Sequence, residues 1–311
     1  MENAVVTHDL SRSFGTLRAV DRLSLTVEEG AMFGLVGPDG SGKTTTIRML
    51  CGILAPGSGT ASVLGHDIVR ESDAVKKDIG YLSQRFTLYG DLTVDENIEF
   101  FAEINRVYEY RPRREELLEF TRLTPFRSRL AEKLSGGMKQ KLALACTLVH
   151  RPRLIFLDEP TTGVDPVSRR DFWRILQSLM RQGITIVMTT PYLDEAERCT
   201  RVALMNRGSL MRVDTPEAMK SAMIGEILEV ICDRVHDASA LLKGEQDAPE
   251  VQAFGDRIHV IVRSAASGEE PIRRRLERGG IRVMSLRRIE PSLENVFISL
   301  LTHPAGPGGA Q

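Results

Sequence analysis

The sequence predicts an α/β fold built on a largely parallel sheet. Continuous apolar runs of strand length occur at residues 31–36, 154–157 and 184–188. Such runs suit parallel strands that are buried on both faces. Helix-like segments follow the first run and separate the other two, and this alternation of strand and helix is typical of an α/β core. With 311 residues, the chain also has room for a second, smaller domain.

Shorter patterns predict the remaining elements of the first domain. The expected strands and helices lie at residues 4–7, 23–27, 59–64, 79–82, 113–122 and 167–181, of which the last two are helices. The segment Thr93-Val-Asp-Glu96 has the Thr-x-x-Glu spacing of a capping box, and periodic apolar residues after it predict a helix. We expect the first domain to span residues 1–222, with a helical subdomain at about 88–150.

A second domain is expected at residues 223–303. Its predicted elements are a strand at 227–232, a helix at 238–243, a hairpin at 251–262, a helix from Pro271 to Arg278, a strand at 281–289 and a helix at 293–301. The order βαββαβ predicts a small α+β ferredoxin-like sandwich with an added terminal helix. Residues 304–311 have little apolar content to bury, which predicts a disordered tail.

Composition excludes several classes of protein. A formal net charge of −1 argues against a dedicated nucleic-acid binder. The 4 cysteines are widely separated, so they indicate reduced thiols and neither a zinc site nor a disulfide framework. No signal peptide is apparent, and no apolar run approaches the roughly 20 residues that a membrane-spanning helix needs. We therefore expect a cytoplasmic protein that reaches a membrane only through a partner.

The strongest local signal directly follows the first buried run. Residues 37–45 read GPDGSGKTT, which fits the phosphate-loop pattern G-x-x-x-x-G-K-[ST]. Backbone N–H groups and the N-terminus of the next helix would face a phosphate chain there, and Thr44 would offer its hydroxyl to Mg²⁺. The candidate nucleotide contacts are Gly37, Asp39, Gly40, Ser41, Gly42, Lys43, Thr44 and Thr45.

A second strand supplies the acidic half of a candidate site. Residues 154–160 read LIFLDEP, so Asp158 ends a buried strand and Glu159 follows it. Asp158 is expected to hold Mg²⁺ through a coordinated water. Glu159 is expected to accept a proton from the water that attacks the γ-phosphate of ATP.

The segment Leu134-Ser-Gly-Gly-Met-Lys-Gln140 precedes this acidic strand and opens a helical run. With the phosphate loop and LIFLDEP, it resembles the ATP-binding cassette (ABC) ATPases, whose signature is LSGGQ-like; the resemblance covers about residues 4–222. It implies a P-loop NTPase fold with a RecA-like core, an antiparallel β subdomain and a helical subdomain. It also implies that Ser135, Gly136 and Gly137 cap a nucleotide held by a second ATPase subunit, because a helix N-terminus forms a further anion site.

Three other positions match this family. Phe14 corresponds to an aromatic residue that stacks on adenine, although its alternative interpretation is an edge-strand core residue. Gln84 corresponds to the glutamine that senses Mg²⁺ and the attacking water. Asp165, in TGVDP, corresponds to the aspartate of a loop that crosses the dimer interface.

The sequence departs from the family at two positions of the candidate site. Pro191, in TTPYLDEAE, stands where the family usually has a histidine that contacts the γ-phosphate. Proline has neither a donor side chain nor a backbone N–H, so we expect hydrolysis that is slow or dependent on a partner. Asp39 stands where asparagine is common, and its charge lies close to a polyanion, which predicts weaker nucleotide affinity.

The segments LDEPTTGVDPVSRR and PSLENVFISLLTH resemble bacterial ATPases of the daunorubicin and multidrug exporter type, and the GPDG loop resembles the first half of tandem-ATPase exporters. The resemblance implies an ATPase at the cytoplasmic face of the bacterial inner membrane, with a separate permease that exports a drug, lipid or metabolite. The second ATPase subunit is either another copy or a histidine-bearing partner. Two alternatives stay open: a catalytically weakened gating subunit, and a soluble ABC ATPase acting on ribosomes or DNA.

Overall fold

The computed structural model describes residues 2–84, 88–243 and 250–303. The tail expected at 304–311 lies outside the described residues. The chain divides into two compact units, Met1–Val213 and Asp214–Gln311. The division at 1–222 and 223–303 remains a prediction about independent domains.

The first unit contains most of the strands and helices of the described chain, and its last strand ends one residue into the second unit. These are β1 (Asn3–Phe14), β2 (Leu17–Glu28), β3 (Met32–Val36), α1 (Lys43–Leu50), β4 (Ser58–Val63), β5 (His66–Asp67), α2 (Ser72–Asp78), β6 (Ile79–Leu82), α3 (Val94–Ile104), α4 (Tyr110–Thr121), α5 (Gly136–Leu148), β7 (Leu154–Asp158), α6 (Pro166–Arg181), β8 (Thr185–Thr190), α7 (Leu193–Ala196), β9 (Arg201–Asn206) and β10 (Ser209–Asp214). Short 3₁₀ turns occur at Thr124–Phe126 and Ala131–Lys133.

The central sheet has the strand order β10-β9-β3-β8-β7-β6, and its pairs from β9 through β6 are parallel. Every residue of β3, β7 and β8 is buried. The expectation of parallel strands covered on both faces is therefore confirmed at these three apolar runs. A separate antiparallel sheet has the order β2-β1-β4-β5, in which β1 and β2 are longer than the sequence predicted.

The helical subdomain begins at the predicted cap. The Thr93 side chain accepts a hydrogen bond from the Glu96 backbone N–H, and the Glu96 carboxylate accepts one from the Thr93 N–H. This reciprocal pair satisfies two N–H groups that the first turn of α3 leaves without helical partners. Helix α3 then packs against α4 and α5.

The second unit contains α8 (Pro216–Ser221), β11 (Glu226–Cys232), α9 (Val235–Lys243), β12 (Glu250–Phe254), β13 (Arg257–Val262), α10 (Ala265–Arg278), β14 (Val283–Ile289) and α11 (Leu293–Thr302). Its antiparallel sheet has the order β12-β13-β11-β14. The βαββαβ elements thus form a ferredoxin-like sheet, whose apolar face packs against α9 and α10.

The prediction that α10 begins at Pro271 was wrong. The helix begins at Ala265, and Pro271 lies inside it. Ala265, Ile272 and Leu276 are all buried in the core of the second unit. Burial of this apolar stripe therefore outweighs the backbone hydrogen bond that proline removes from the helix.

No helix in the described part of the chain is long and apolar enough to cross a lipid bilayer.

Candidate functional site

Four adjacent strands bring the predicted motifs to one edge of the central sheet. In the sheet, β3, β8, β7 and β6 are neighbours and run parallel, so their carboxyl ends meet. The phosphate loop follows β3, Pro191 follows β8, Glu159 follows β7 and Gln84 follows β6. Ligands of open α/β sheets bind at this carboxyl edge.

The phosphate loop is shaped by close backbone contacts. Gly42 caps α1 with a φ of 100°, and a Cβ atom added there would lie 2.3 Å from the Ala19 carbonyl oxygen. Only glycine adopts this conformation readily and leaves room for the contact. Lys43 is buried, and its ammonium donates to the carbonyls of Gly37 at 2.8 Å and Pro38 at 3.0 Å.

Ser41 is also buried, and its hydroxyl has no hydrogen-bond partner among the described residues. A buried polar atom without a partner is costly in a finished structure. We therefore interpret the Ser41 hydroxyl as a group left for a ligand of the loop.

A cleft of about 730 Å³ lies over the loop. This volume falls in the range of small-molecule sites, about 300–1,000 Å³. Its lining combines most of the predicted nucleotide contacts with neighbours from other elements: Phe14, Leu17, Ala19, Asp39, Gly40, Ser41, Gly42, Lys43, Thr44, Thr45, Gln84, Glu159, Thr162, Pro191 and Tyr192.

Asp158 is fully buried at the end of β7 and is held by two hydroxyl groups. Thr44 donates to its Oδ1 atom at 2.9 Å, and Thr189 donates to the same atom at 2.7 Å. The Oδ2 atom has no hydrogen-bond partner in the described structure. Thr44 and Asp158 therefore leave oxygen ligands together beside the cleft, and oxygen is the donor that Mg²⁺ prefers.

Glu159 adopts an unusual backbone conformation, with a φ of 49°. Its N–H donates to the Thr189 hydroxyl at 2.9 Å, which helps to hold this conformation. Gln84 Nε2 donates to Oε2 at 2.9 Å, Thr162 donates to the same oxygen at 3.3 Å, and Lys43 Nζ lies 3.6 Å from Oε1. Residues held in sparsely populated conformations cluster at functional sites, where the surrounding structure must stabilise them.

Phe14 ends β1 with 48 % of its surface exposed and lines the cleft. This exposure favours the interpretation as a stacking platform over that as a core residue. The Arg12 guanidinium lies 5.1 Å from the ring centroid.

The signature residues occupy a different place in this chain. Ser135 caps α5, and its hydroxyl accepts from the Met138 N–H at 3.4 Å. Ser135 and Gly136 are exposed, whereas Gly137 is buried against Ser168 of α6. None of the three lines the cleft formed by the described residues.

Asp165 likewise lies outside the cleft lining and caps the N-terminus of α6. Its carboxylate accepts from the N–H groups of Val167 and Ser168, each at 3.0 Å. Hydrogen bonds from Ser168, with a smaller effect from the Val167 N–H, hold the pKa of Asp165 below its ordinary value. Asp165 is therefore an ionised and exposed N-cap residue of α6.

Sequence reasoning missed the residues that support the site from beneath. Thr189 binds both Asp158 and the Glu159 N–H, and buried Glu195 accepts hydrogen bonds from Thr161 and Thr190. The available signal was weak, since threonines in an apolar strand are ordinary strand formers. Glu195 lies in the DEAE segment, and its burial became visible only in the fold.

The chain is similar to known proteins of one family. A family model described as "ABC transporter" matches residues 20–162. The chain is 41 % identical over 310 residues to "Probable multidrug ABC transporter ATP-binding protein YbhF" of Escherichia coli (strain K12), covering 97 % of this chain and 53 % of that protein. It therefore spans about half the length of that relative.

A second relative matches along nearly its whole length. The daunorubicin/doxorubicin resistance ATP-binding protein DrrA of Streptomyces peucetius is 36 % identical, with 97 % of this chain and 93 % of DrrA covered. Among solved structures, the dimeric post-hydrolysis state of the ATP-binding cassette MJ0796 bound to ADP and Pi aligns with a TM-score of 0.60 and 25 % identity, covering 68 % of this chain and 98 % of MJ0796. The fold, the clustered motifs and these relatives show that this chain belongs to the family of ABC transporter ATP-binding proteins.

Proposed function

We propose that this chain binds ATP with Mg²⁺ and hydrolyses the ATP as the energy-coupling subunit of an ABC exporter. One observation carries the proposal. Two hydrogen-bonded pairs, Thr44 with Asp158 and Gln84 with Glu159, lie together beside a phosphate loop. The pairs unite a candidate metal site with a candidate base.

The phosphate loop supplies the groups that bind the triphosphate. The first N–H groups of α1 have no helical partners and carry the positive end of the helix dipole. Lys43, the first residue of α1, adds a buried cation whose ammonium lies on the carbonyls of Gly37 and Pro38. Phe14, which also lines the cleft, offers an exposed ring for the adenine.

The residues beside the loop fit a bound Mg²⁺ ion. Asp158 Oδ2 is buried and lacks a hydrogen-bond partner in the described structure, and the Thr44 hydroxyl donates to the other oxygen of the same carboxyl group. Thr44 and Asp158 would hold the ion, with Gln84 reaching it from β6. When bound, the ion would neutralise charge on the phosphates.

Glu159 has the position of a general base. Its carboxylate would accept a proton from water as the water oxygen bonds to the γ-phosphorus and the bond to the bridging oxygen breaks, giving ADP and phosphate. Gln84 and Thr162 both donate to its Oε2 atom and so orient the carboxyl group. Asp158 instead accepts hydrogen bonds from Thr44 and Thr189. The two carboxylates thus have different partners, which suits Asp158 to the metal and Glu159 to the attacking water.

The positions of the signature residues support a site shared between two subunits. Ser135 and Gly136 are exposed at the start of α5 and contribute nothing to the lining of the cleft in their own chain. Their hydroxyl and helix N-terminus are suited to an anion. On this proposal they cap the nucleotide of a second ATPase subunit, and Asp165 contacts that subunit.

Pro191 supports a weakened variant of the same function. It lines the cleft where the family's histidine would donate to the γ-phosphate. Proline offers no such donor, so the chain keeps the residues that bind the nucleotide and lacks one group that would assist hydrolysis. A gating subunit paired with a histidine-bearing ATPase is therefore our second candidate.

The exporter assignment rests on the names of the relatives, which include daunorubicin resistance and Nod factor export ATP-binding proteins. On this proposal a separate permease holds the chain at the cytoplasmic face of the bacterial inner membrane. The cargo would be a drug, a lipid or a metabolite.

Phosphate release by the purified full chain tests the catalytic proposal. We expect Glu159→Gln to lower turnover by about 10²- to 10⁴-fold, the usual contribution of a general base, while ATP affinity is retained. Glu119→Gln is the matched control, because Glu119 is exposed in α4. Equal hydrolysis by the parent chain and Glu159→Gln would favour the gating subunit.

Copurification tests the pairing. A tagged copy is produced in the native cell and the ATPases that accompany it are identified. The asymmetric pair predicts a second, histidine-bearing ATPase together with a permease. Recovery of the untagged copy alone would establish a homodimer instead.

A further inference from the structure

Glu195 is 1 % exposed and lies in the short helix α7. Both of its oxygens are engaged by other elements. Thr161 donates to Oε1 at 2.6 Å, and Thr190 donates to Oε2 at 2.8 Å. Arg169 of α6 places its Nε atom 3.1 Å from Oε1.

The three partners of Glu195 lie on the segments that form the candidate site. Thr161 follows Glu159 by two residues, and Thr190 directly precedes Pro191. Arg169 bonds through its backbone N–H to the carbonyl of Asp165, which caps α6. One buried carboxylate therefore joins the base segment, the Pro191 segment and the start of α6.

The link continues from Thr190 and Arg169 to the wall of the cleft. The Thr190 hydroxyl accepts from the Tyr192 N–H at 3.0 Å while it donates to Glu195, so it clamps the chain on both sides of Pro191. The Arg169 guanidinium lies 4.6 Å from the Tyr192 ring centroid. Tyr192 and Pro191 both line the cleft.

Burying a carboxylate costs free energy of desolvation, which charge-assisted hydrogen bonds and nearby opposite charges must offset. Glu195 accepts two hydrogen bonds from hydroxyl groups, and the charge of the Arg169 guanidinium lies close to Oε1. Removing any one of these partners leaves the Glu195 charge less compensated and frees one of the three segments. Glu195 therefore fixes the base segment, the Pro191 segment and the start of α6 relative to each other.

We propose that Glu195 is a positioning residue for ATP hydrolysis, which sets the Glu159 and Pro191 segments against each other through Thr161 and Thr190. The proposal rests on the ATPase function proposed above. Glu195 does not line the cleft and acts only through its partners. Pro191 has no backbone N–H to donate, and the hydrogen bonds of Thr190 to Glu195 and from the Tyr192 N–H hold the chain beside it.

Isosteric variants of Thr161 test the link in the full chain. Thr161→Val removes the hydroxyl and keeps the shape, Thr161→Ser restores the hydroxyl, and Thr121→Val is the control. Thr121 is equally buried, but its hydroxyl bonds to the Leu117 carbonyl within α4. We expect Thr161→Val to lower kcat about tenfold or more, because small misplacements of a catalytic group are costly. ATP affinity should stay within about threefold, and Thr161→Ser should recover most of kcat.

Amide hydrogen exchange supplies an arm that needs no turnover. In the ATP-bound chain, Glu195→Gln should speed exchange in both 160–165 and 189–192, whereas Thr121→Val should change neither. An unchanged kcat in Thr161→Val, a loss of ATP affinity as large as the loss of kcat, or faster exchange confined to 193–197 would each overturn the proposal. If the parent chain itself shows no turnover, the proposed ATPase function fails, and the exchange result alone decides whether Glu195 positions these segments.

Discussion

Gln84 and Glu159 are joined by a hydrogen bond of 2.9 Å from Nε2 to Oε2, although they follow different strands of the central sheet. The bond fixes the candidate base from the side of β6, next to the helical subdomain that follows it along the chain. Movement of the Gln84 segment would therefore change the orientation of the Glu159 carboxylate. The hydrogen bond thus couples the residue that follows β6 to the candidate catalytic group.

Replacement of Pro191 by histidine is expected to raise ATP turnover. The new imidazole would add a donor at a position that already lines the cleft beside Glu159. One such donor in a transition state is worth on the order of 10²- to 10³-fold in rate. Steady-state phosphate release measures the effect, and Pro191→Ala is the control, because it restores the N–H without the imidazole. No gain in rate, or an equal gain in both variants, would count against the idea that a missing donor at residue 191 limits hydrolysis.

Phe14→Ala is expected to weaken ATP binding without loss of stability. The ring is 48 % exposed, so the fold loses little when it is removed. Stacking of an aromatic ring on a base contributes about 1–3 kcal/mol, which corresponds to about 5- to 150-fold in Kd. Calorimetric titration with ATP and with inorganic triphosphate separates the contribution of the adenine to binding from that of the phosphates. An equal loss for both ligands would show that Phe14 supports the loop and does not stack.

Local motifs predicted the residues that line the site, whereas the residues that hold them in place are brought together by the pairing of distant strands. The phosphate loop and LIFLDEP are contiguous patterns whose spacing alone states their chemistry, so Lys43, Asp158 and Glu159 could be identified before the fold was known. Thr189 and Glu195 acquire their contacts only when β7 and β8 pair in parallel. A threonine in a strand carries no sign of which side chain it will meet, which is why these residues were missed.

The two adjacent signature glycines should respond differently to alanine. A Cβ at Gly137 would lie 2.2 Å from Ser168 Oγ, whereas nothing lies within 4 Å of a Cβ at Gly136. We expect Gly137→Ala to lower the free energy of unfolding by about 1–3 kcal/mol, as overpacking does, and Gly136→Ala to leave it unchanged. Denaturant unfolding measures both, and Ser168→Gly should rescue Gly137→Ala. Equal stability of the two alanine variants would contradict the close packing of α5 on α6.

Gly136→Ala provides a separate test of the shared site. Gly136 is exposed at the start of α5, where the proposed second nucleotide would approach. Turnover should therefore fall in this variant although its stability does not. Normal turnover would place the second subunit elsewhere.

Acid should weaken the second unit through Glu229. Burial raises the pKa of this carboxyl group, but hydrogen bonds from Arg287 and Arg257 outweigh burial and hold the pKa below its ordinary value of 4.5. Because the folded state binds the proton less well than the unfolded chain, this stabilisation is complete above about pH 4.5 and is lost as the pH falls through the lower folded pKa. Glu229→Gln should therefore lower Tm at pH 7, and its difference from the parent chain should shrink below about pH 4.5. Scanning calorimetry at several pH values measures this, with exposed Glu277→Gln as the control. A constant difference at all pH values would mean that Glu229 stabilises the sheet by its shape and not by its charge.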